Sequence, residues 1–478
     1  MKRTWRFWLA LWAGKISAAM LRALGRRGTT FPGVVAQRLD PECIGHLSLS
    51  FSEGIVIVTG TNGKTTTANL LANILRAAGR GFAFNQAGAN LVTGITGALM
   101  EYVNWRGQAQ VPLALLEVDE ATVPKLCEQV SPKWAIVTNF FRDQLDRYGE
   151  LDTTVRLVQD ALPEETMLIL NADDPLVAQF GQGRRNTLYY GVDRLPESRT
   201  ESRETREARF CPQCGAALSY SLFHYGQLGI YACPNCSFTR PQPQVLAVQA
   251  RMEEGKLKFR VGVSAYEVGF QGYYNLYNAL AALAAAIELD VRGEDLEKGL
   301  REFVPQAGRM ECFPLSEGPV TLALVKNPTG FNQVLRTVLS SEGEIRLLIA
   351  INDLAADGRD ISWLWDVDFE CLSRGLHRDQ SHGGSAEIKL IVCSGLRAED
   401  MALRLKYAGM PEEKLLIEHS LEKAVAALQA GRQGKERVFV LPTYTMLFPL
   451  RDYLASLDLD EGGQEKPSER LRKGRASA

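Results

Sequence analysis

Short β-branched apolar runs, each followed by a helical repeat, recur twice along the chain. The first, Glu53-Gly-Ile-Val-Ile-Val-Thr-Gly60, is continuously apolar and ends in glycine, which predicts a parallel strand buried on both faces. After the turn at 61–67, apolar residues return at helical spacing over 68–75. Residues 113–120, 134–139 and 167–175 repeat the pattern of an apolar strand ending in polar side chains. A second series, 320–325, 345–351, 388–392 and 437–441, alternates with helical stretches at 399–408 and 421–430. Both series predict doubly wound α/β domains, whose ligand groups gather at the carboxyl ends of the strands.

Three segments break this pattern. Within residues 1–28, Trp5, Trp8, Leu9, Trp12, Ile16 and Met20 recur at helical spacing and predict one apolar stripe flanked by cations. Three readings compete there: a helix packed on its own protein or a partner, an interfacial helix on an anionic membrane, and a secretory signal. The apolar segment 7–13 is short for a signal, and Lys15 follows it. Residues 197–209 are polar and charged, as in a linker or exposed loop, and 462–478 have the composition of a disordered basic tail. No apolar run approaches the roughly 18 residues that span a bilayer.

Charge and cysteine content narrow the class. The 478 residues hold 54 Lys+Arg against 56 Asp+Glu, a net charge of −2, which argues against a chain-wide nucleic-acid surface. Residues 1–28 carry seven cations and no acid, so a net-acidic body lies between two basic ends. Nine cysteines, four of them in two pairs, do not make a secreted disulfide framework and predict a reducing compartment.

The turn after the first strand carries chemistry. Thr59-Gly60-Thr61-Asn62-Gly63-Lys64-Thr65-Thr66 joins strand to helix, the context in which backbone N–H groups cradle phosphates. Lys64 supplies a point charge to the β/γ phosphates, and Thr65 a hydroxyl to Mg²⁺. The general loop has glycine five positions before Gly63; here that residue is Val58, and the glycine is Gly60. Glu117, at the end of the 113–117 strand, is placed for a Mg²⁺ ligand. Cys211-Pro-Gln-Cys214 and Cys233-Pro-Asn-Cys236 are separated by 18 residues, the spacing of a closed Cys₄ zinc ribbon, with Leu218-Ser-Tyr and Tyr231-Ala able to form the hairpin. Four thiolates leave no open position, so the Zn²⁺ is structural.

These residues resemble the Mur ligase family of ATP-dependent amide-forming ligases, which includes folylpolyglutamate synthetase. The likeness rests on the 59–66 loop, Glu117, Asn139 with Asp143, Asn171-Ala-Asp-Asp-Pro175, Gly272-Tyr-Tyr-Asn275-Leu-Tyr-Asn278 and Gly308-Arg309-Met310-Glu311. The glycine at Gly60 is that family's own form of the loop. The resemblance implies that ATP phosphorylates a carboxylate and an amine attacks the acyl phosphate. It implies Gly60, Thr61, Asn62, Gly63, Lys64, Thr65 and Thr66 at the nucleotide, and Thr65 and Glu117 at Mg²⁺. Asn275 and Asn278 belong near the adenine, and Arg309 near the phosphates. Gln144 replaces a histidine that helps bind a second metal in many relatives, and only about fifty residues precede the first strand, too few for a uridine-nucleotide domain.

The implied architecture is a basic amphipathic helical segment over 1–45, then a Mur ligase central P-loop ATPase domain over 46–312. That domain carries an inserted zinc ribbon at about 209–240. A Rossmann-like α/β C-terminal domain follows over 313–460, then a basic tail over 461–478. Within the C-terminal domain, Asp353, Asp357, Asp360 and Asp366 share one loop with Trp363 and Trp365. Together with the Cys₄ insert, the Asp357-Gly-Arg-Asp360 sequence resembles a branch of the family that amidates peptidoglycan. That likeness implies conversion of a stem-peptide D-glutamate α-carboxylate to D-isoglutamine on lipid II or a related lipid-linked precursor. Ammonia comes from a separate glutamine amidotransferase subunit, to whose catalytic histidine Asp360 is lent. It also implies a cytoplasmic enzyme beside the inner face of the membrane, with no nucleic-acid partner. Two other readings stay open: a stand-alone amino-acid ligase, and a nucleic-acid-binding ATPase using the ribbon. Residues 373–386 read as a loop insertion without assigned role.

Overall fold

The computed structural model describes residues 3–25, 28, 30–85, 89–143, 150–201, 206–305, 307–340, 343–374, 386–432 and 436–459. Gln144, the middle of the 197–209 run, the stretch 375–385 and the basic tail lie outside the described residues. The chain divides into two compact units, one ending at Val304 and the other beginning at Pro305.

The first unit is built on a nine-stranded sheet. Its parallel part comprises β1 (Gly54–Thr59), β2 (Phe82–Phe84), β3 (Leu113–Glu117), β4 (Trp134–Val137), β5 (Met167–Asn171), β6 (Thr187–Val192) and β9 (Val245–Glu253). β10 (Lys256–Val261) and β11 (Ser264–Val268) extend it antiparallel at one edge. The order is β11-β10-β9-β6-β5-β4-β1-β3-β2, so β1 lies between β3 and β4. Residues of β1 alternate between two cores: Val56 and Val58 face one, Ile55 and Ile57 the other. That double burial is why the run has no polar alternation. Against the first face pack α4 (Lys64–Ala77), α9 (Tyr274–Glu288) and α10 (Glu294–Arg301). The second is covered by α1 (Trp5–Ala23), α2 (Thr30–Leu39), α3 (Cys43–Ser48), α5 (Val92–Glu101), α6 (Val123–Cys127), α7 (Leu151–Ala161) and α8 (Pro175–Ala178). A separate hairpin, β7 (Ser219–Tyr225) with β8 (Leu228–Ala232), forms the insert.

The N-terminal helix departs from its pattern. It packs on its own protein through Phe7, Ala10, Leu11 and Gly14. Most of the predicted stripe points away from that contact: Trp5, Leu9, Trp12, Ile16 and Met20 are exposed, while Trp8 is half-buried against the second core. Ala10 and Gly14 let the helix approach closely, which a tryptophan face cannot, and burying Phe7 and Leu11 contributes about 2 kcal/mol each. Among the described residues no helix is long and apolar enough to cross a membrane.

The second unit holds a six-stranded sheet of order β12-β13-β17-β14-β15-β16. Its strands are β12 (Arg309–Leu315), β13 (Gly318–Ala323), β14 (Gly343–Ala350), β15 (Ala386–Ser394), β16 (Leu415–Ile417) and β17 (Arg437–Pro442). Among the described residues only the β12–β13 pair of this sheet is antiparallel. The helices are α11 (Pro328–Leu339), α12 (Glu370–Arg374), α13 (Ala398–Tyr407), α14 (Leu421–Gln429) and α15 (Tyr444–Leu459). They cover both faces, as the alternation of strand and helix predicts.

Candidate active site

The loop between β1 and α4 is stitched to the end of β4. Thr61 N donates to Asn139 O at 2.8 Å, and Asn62 N to Asn139 Oδ1 at 2.9 Å. Asn139 Nδ2 and Thr138 Oγ1 return hydrogen bonds to Asn62 O. Gly60 and Gly63 have φ of +118° and +87°; a Cβ on Gly60 would lie 2.4 Å from Thr138 Oγ1, and one on Gly63 2.0 Å from Asn278 Oδ1. Both positions therefore require glycine. The contact at Gly63 also brings Asn278 of α9 to the loop, and Asn278 Nδ2 donates to Asn275 Oδ1 at 3.0 Å.

Lys64 opens α4 and is buried. Its Nζ donates to Gly60 O at 2.6 Å and to Glu120 Oε2 at 2.7 Å. Burial alone would push its pKa down, but the charges of Glu120, Asp119 and Glu117 outweigh that and raise it. The ammonium is thus held charged in a dry site, the form that binds phosphate. Thr65 Oγ1 donates to Glu117 Oε1 at 3.0 Å, so the two side chains assigned to Mg²⁺ meet at the end of β3. Asn85, following β2, braces that strand end: Glu117 N donates to its Oδ1, and its Nδ2 donates to Glu117 O, both at 2.8 Å. A hydroxyl beside a buried carboxylate next to a phosphate loop fits Mg²⁺ with a nucleotide.

Asp173 and Asp174 follow β5 and are fully buried. Asp173 accepts from Arg240 Nε at 2.6 Å, Tyr277 Oη at 2.7 Å and Val192 N at 2.9 Å. It thereby ties the end of the insert to α9, between Asn275 and Asn278. Gly229 N and Tyr231 Oη of the hairpin donate to Asp173 O and Ala172 O. Burial pushes Asp174 up to about 7, against the pull of N–H donors from Phe140 and Leu176. His224, 2.7 Å from Ser198 Oγ, is kept below its usual pKa by burial. Removing Arg240 would leave the Asp173 charge buried without its ion pair. Arg240→Ala is expected to destabilise the chain by about 3 kcal/mol, read as a lower denaturant midpoint.

The insert brings its four cysteines together. The Sγ atoms of Cys211, Cys214, Cys233 and Cys236 all lie within 4.8 Å of one another, with contacts of 3.6 Å (Cys211–Cys236) and 3.4 Å (Cys214–Cys233). Tetrahedral zinc at about 2.3 Å from each sulfur needs edges of roughly 3.8 Å, so the donor set fits. Asn235 N donates to Cys233 Sγ, as expected of a turn that stabilises a thiolate. None of the nine cysteines is in a disulfide. Purified protein is expected to carry about one zinc per chain by plasma emission, and Cys233→Ser to lose most of it with a fall in Tm.

In the second unit, Asn352 follows β14 by two residues and its backbone N donates to Thr443 Oγ1, while Asp353 pairs with Arg397. Asp357 is buried and accepts from Thr445 N at 2.8 Å and Thr445 Oγ1 at 2.6 Å. That anchor at the start of α15 leaves Arg359 and Asp360 exposed. Asp360 accepts from Ser362 N at 2.8 Å, and hydrogen bonding to Ser362 holds its carboxyl below the usual range. Trp363 packs near Phe331, whereas Trp365 is exposed beside Tyr407. Arg309 opens β12, and its neighbour Glu311 pairs with Arg451.

Two family models match: the Mur ligase middle domain over residues 58–214 and the MurT ligase C-terminal domain over 324–447. The MurT subunit of the glutamine-hydrolysing lipid II isoglutaminyl synthase of Staphylococcus aureus (strain COL) is 34% identical over 460 residues, 96% of this chain and 100% of that protein. The chain belongs to the MurT family. The MurT subunit from Streptococcus pneumoniae is 33% identical over 94% of this chain and 97% of its own. Among solved structures, a pseudomurein peptide ligase type C from Methanothermus fervidus aligns with TM-score 0.63 at 24% identity, covering 84% of this chain and 78% of that one. MurF ligase from Thermotoga maritima in complex with ADP aligns with TM-score 0.62 at 14% identity, over 89% and 85% of the two chains. These likenesses show the Mur ligase fold, and as a MurT family member the chain is an ATP-dependent carbon–nitrogen ligase.

Within this member of the MurT family, the first unit brings Lys64, Thr65, Glu117, Asn139 and Asn278 around one loop. Arg309 and Asp360 belong to the second unit. Sequence reasoning missed the Lys64–Glu120 ion pair, the Asn85 brace and the Asp173–Arg240–Tyr277 network. A carboxylate three residues beyond Glu117, and an arginine just after the last cysteine pair, were the available signals.

Proposed function

We propose that this chain is the ligase subunit that amidates the α-carboxylate of D-glutamate in the stem peptide of lipid II or a related lipid-linked precursor, giving D-isoglutamine. A carboxylate oxygen takes the γ-phosphoryl group of ATP and ADP leaves. Ammonia then attacks the acyl carbon, the C–N bond forms, and phosphate departs with the acyl oxygen. Gly60 to Thr66 hold the phosphates through backbone N–H groups, and Lys64 stabilises their charge. Thr65 and Glu117 hold Mg²⁺, which when bound neutralises charge on the transferred group. Asn275 and Asn278 position the adenine and Arg309 meets the phosphates. The Cys₄ insert holds a structural Zn²⁺.

Ammonia comes from a glutamine amidotransferase (GatD-like) subunit. Asp360 orients that subunit's catalytic histidine, as the acid of a Cys–His–acid triad does. The observation that carries the reading is the exposed Asp360 carboxylate beside the buried Asp357 anchor, in a chain alike over 96% of its length to a named subunit. The lipid carrier of the substrate puts the reaction at the inner face of the cell membrane.

The test is mass spectrometry of a D-glutamate-bearing stem peptide incubated with both subunits, ATP and glutamine. Replacement of the carboxyl –OH by –NH₂, absent without ATP, is the expected result. Addition of a whole amino acid instead would return the stand-alone ligase.

A further inference from the structure

The N-terminal helix has two apolar faces, and only one is used by the fold. Phe7, Ala10, Leu11 and Gly14 are buried. On the opposite side Trp5, Leu9, Trp12, Ile16 and Met20 form a solvent-facing row, with Trp5 71% and Met20 62% exposed. At 1.5 Å per residue the row runs about 22 Å along the helix. Trp105, from the segment after α5, widens it: Trp12 Nε1 donates to Trp105 O at 3.2 Å, and Trp105 is itself 55% exposed. Lys15 fixes the junction, its Nζ donating to Met100 O at 2.8 Å while lying 5.6 Å from the Trp105 ring centre.

Cations rim this row. At 100° per residue Arg6 falls on one flank and Lys15 on the other, with Arg22 beyond Lys15 at the end of the helix, and both arginines are exposed. Residues 1–28 contain no acid; Glu101, which acts on Lys15, is the nearby counter-charge. Contiguous exposed aromatic and aliphatic side chains are costly in water and mark an interaction surface. A tryptophan-rich face flanked by Arg6 and Lys15, in a segment without acids, has the composition of a helix lying in the headgroup region. Its rings enter the acyl boundary, and its cations meet lipid phosphates. A second copy of this chain would instead set seven cations against seven.

We infer that the outer face of α1, extended by Trp105, docks the protein flat on an anionic phospholipid bilayer. This inference stands on the surface itself and does not require the amidation reading.

The test uses the full-length chain with vesicles of phosphatidylcholine alone or mixed with phosphatidylglycerol. Wild-type protein is expected to co-sediment with the anionic vesicles, with a blue shift of tryptophan emission, and more weakly with the neutral ones or at high salt. Trp12→Glu and, separately, Ile16→Glu should weaken vesicle binding at least about tenfold. Ile16→Glu should leave Tm constant, and Trp12→Glu, which gives up the hydrogen bond to Trp105 O, should lower it only slightly; Arg6→Glu with Arg22→Glu should weaken binding to anionic vesicles alone. Amidation of a lipid-free stem peptide should be unaffected by all of them. Equal sedimentation of wild type and variants, or no sedimentation of wild type, overturns the inference. So does a wild-type dimer in light scattering that the same variants dissolve. Vesicle binding without amidation would support docking while removing the proposed reaction.

Discussion

Lys64→Met is expected to lower ATP-dependent amidation at least about 10³-fold, because in the proposed reaction its ammonium is the charge aimed at the transferred phosphoryl group. The same change has a second effect. Glu120 lies 2.7 Å from Lys64 Nζ, with both side chains nearly inaccessible. Removing one member of such a pair leaves the other charge buried and costs about 3–5 kcal/mol. The single variant is therefore expected to be inactive and less stable, and inactivity alone would not separate chemistry from unfolding. Adding Glu120→Gln removes the stranded charge. The double variant should recover most of the lost denaturant midpoint without recovering turnover. If activity returns with stability, Lys64 was a structural cation and its place at the phosphates is wrong.

Asp360→Asn is expected to abolish glutamine-driven amidation, by about 10³–10⁴-fold, while leaving amidation driven by free ammonium near wild type. An exposed carboxylate on a loop anchored by Asp357 contributes little to folding, so Tm should not move. Asparagine keeps the shape and one acceptor but loses the charge that stabilises an imidazolium. Comparing the two nitrogen sources in one preparation makes the result specific: loss of both would assign Asp360 to the ligase chemistry or to folding. Asp357→Asn serves as a contrast. It weakens the hydrogen bonds to Thr445, which hold the loop, and so should lower Tm as well as glutamine-driven turnover.

Much of the site was legible because its chemistry demands local sequence. A phosphate loop needs glycine where the chain turns with positive φ, lysine at the helix start and a hydroxyl beside it, all within eight residues. Cysteine pairs reach one metal from two tight turns, so their spacing is nearly the whole specification. The buried strands were legible too, since a strand covered on both faces must be apolar throughout. The Asp173 network was not, because Asp173, His224, Arg240 and Tyr277 are far apart in sequence and meet only when the insert folds back on β5 and α9. The N-terminal helix failed as a pattern for the opposite reason. It is apolar on two sides, and periodicity cannot say which of two apolar faces a fold will bury.

By itself the sequence determined the strand-and-helix alternation of both α/β units, the glycine-rich turn between β1 and α4, the pairing of four cysteines in two C-x-x-C turns and the separation of acidic body from basic ends. Each follows from short-range steric and hydrophobic rules acting within one turn or strand. Only the tertiary structure decided which carboxylate pairs with Lys64, why Gly60 and Gly63 cannot carry a Cβ, and which Asp of the 353–366 loop is buried and which is offered outward. It also decided that Ala10 and Gly14, being small, pack against the body and leave Trp5 and Trp12 outside. Those outcomes depend on close approach between segments distant in sequence, where packing at the scale of one methyl group selects among faces that the chain alone presents as equals.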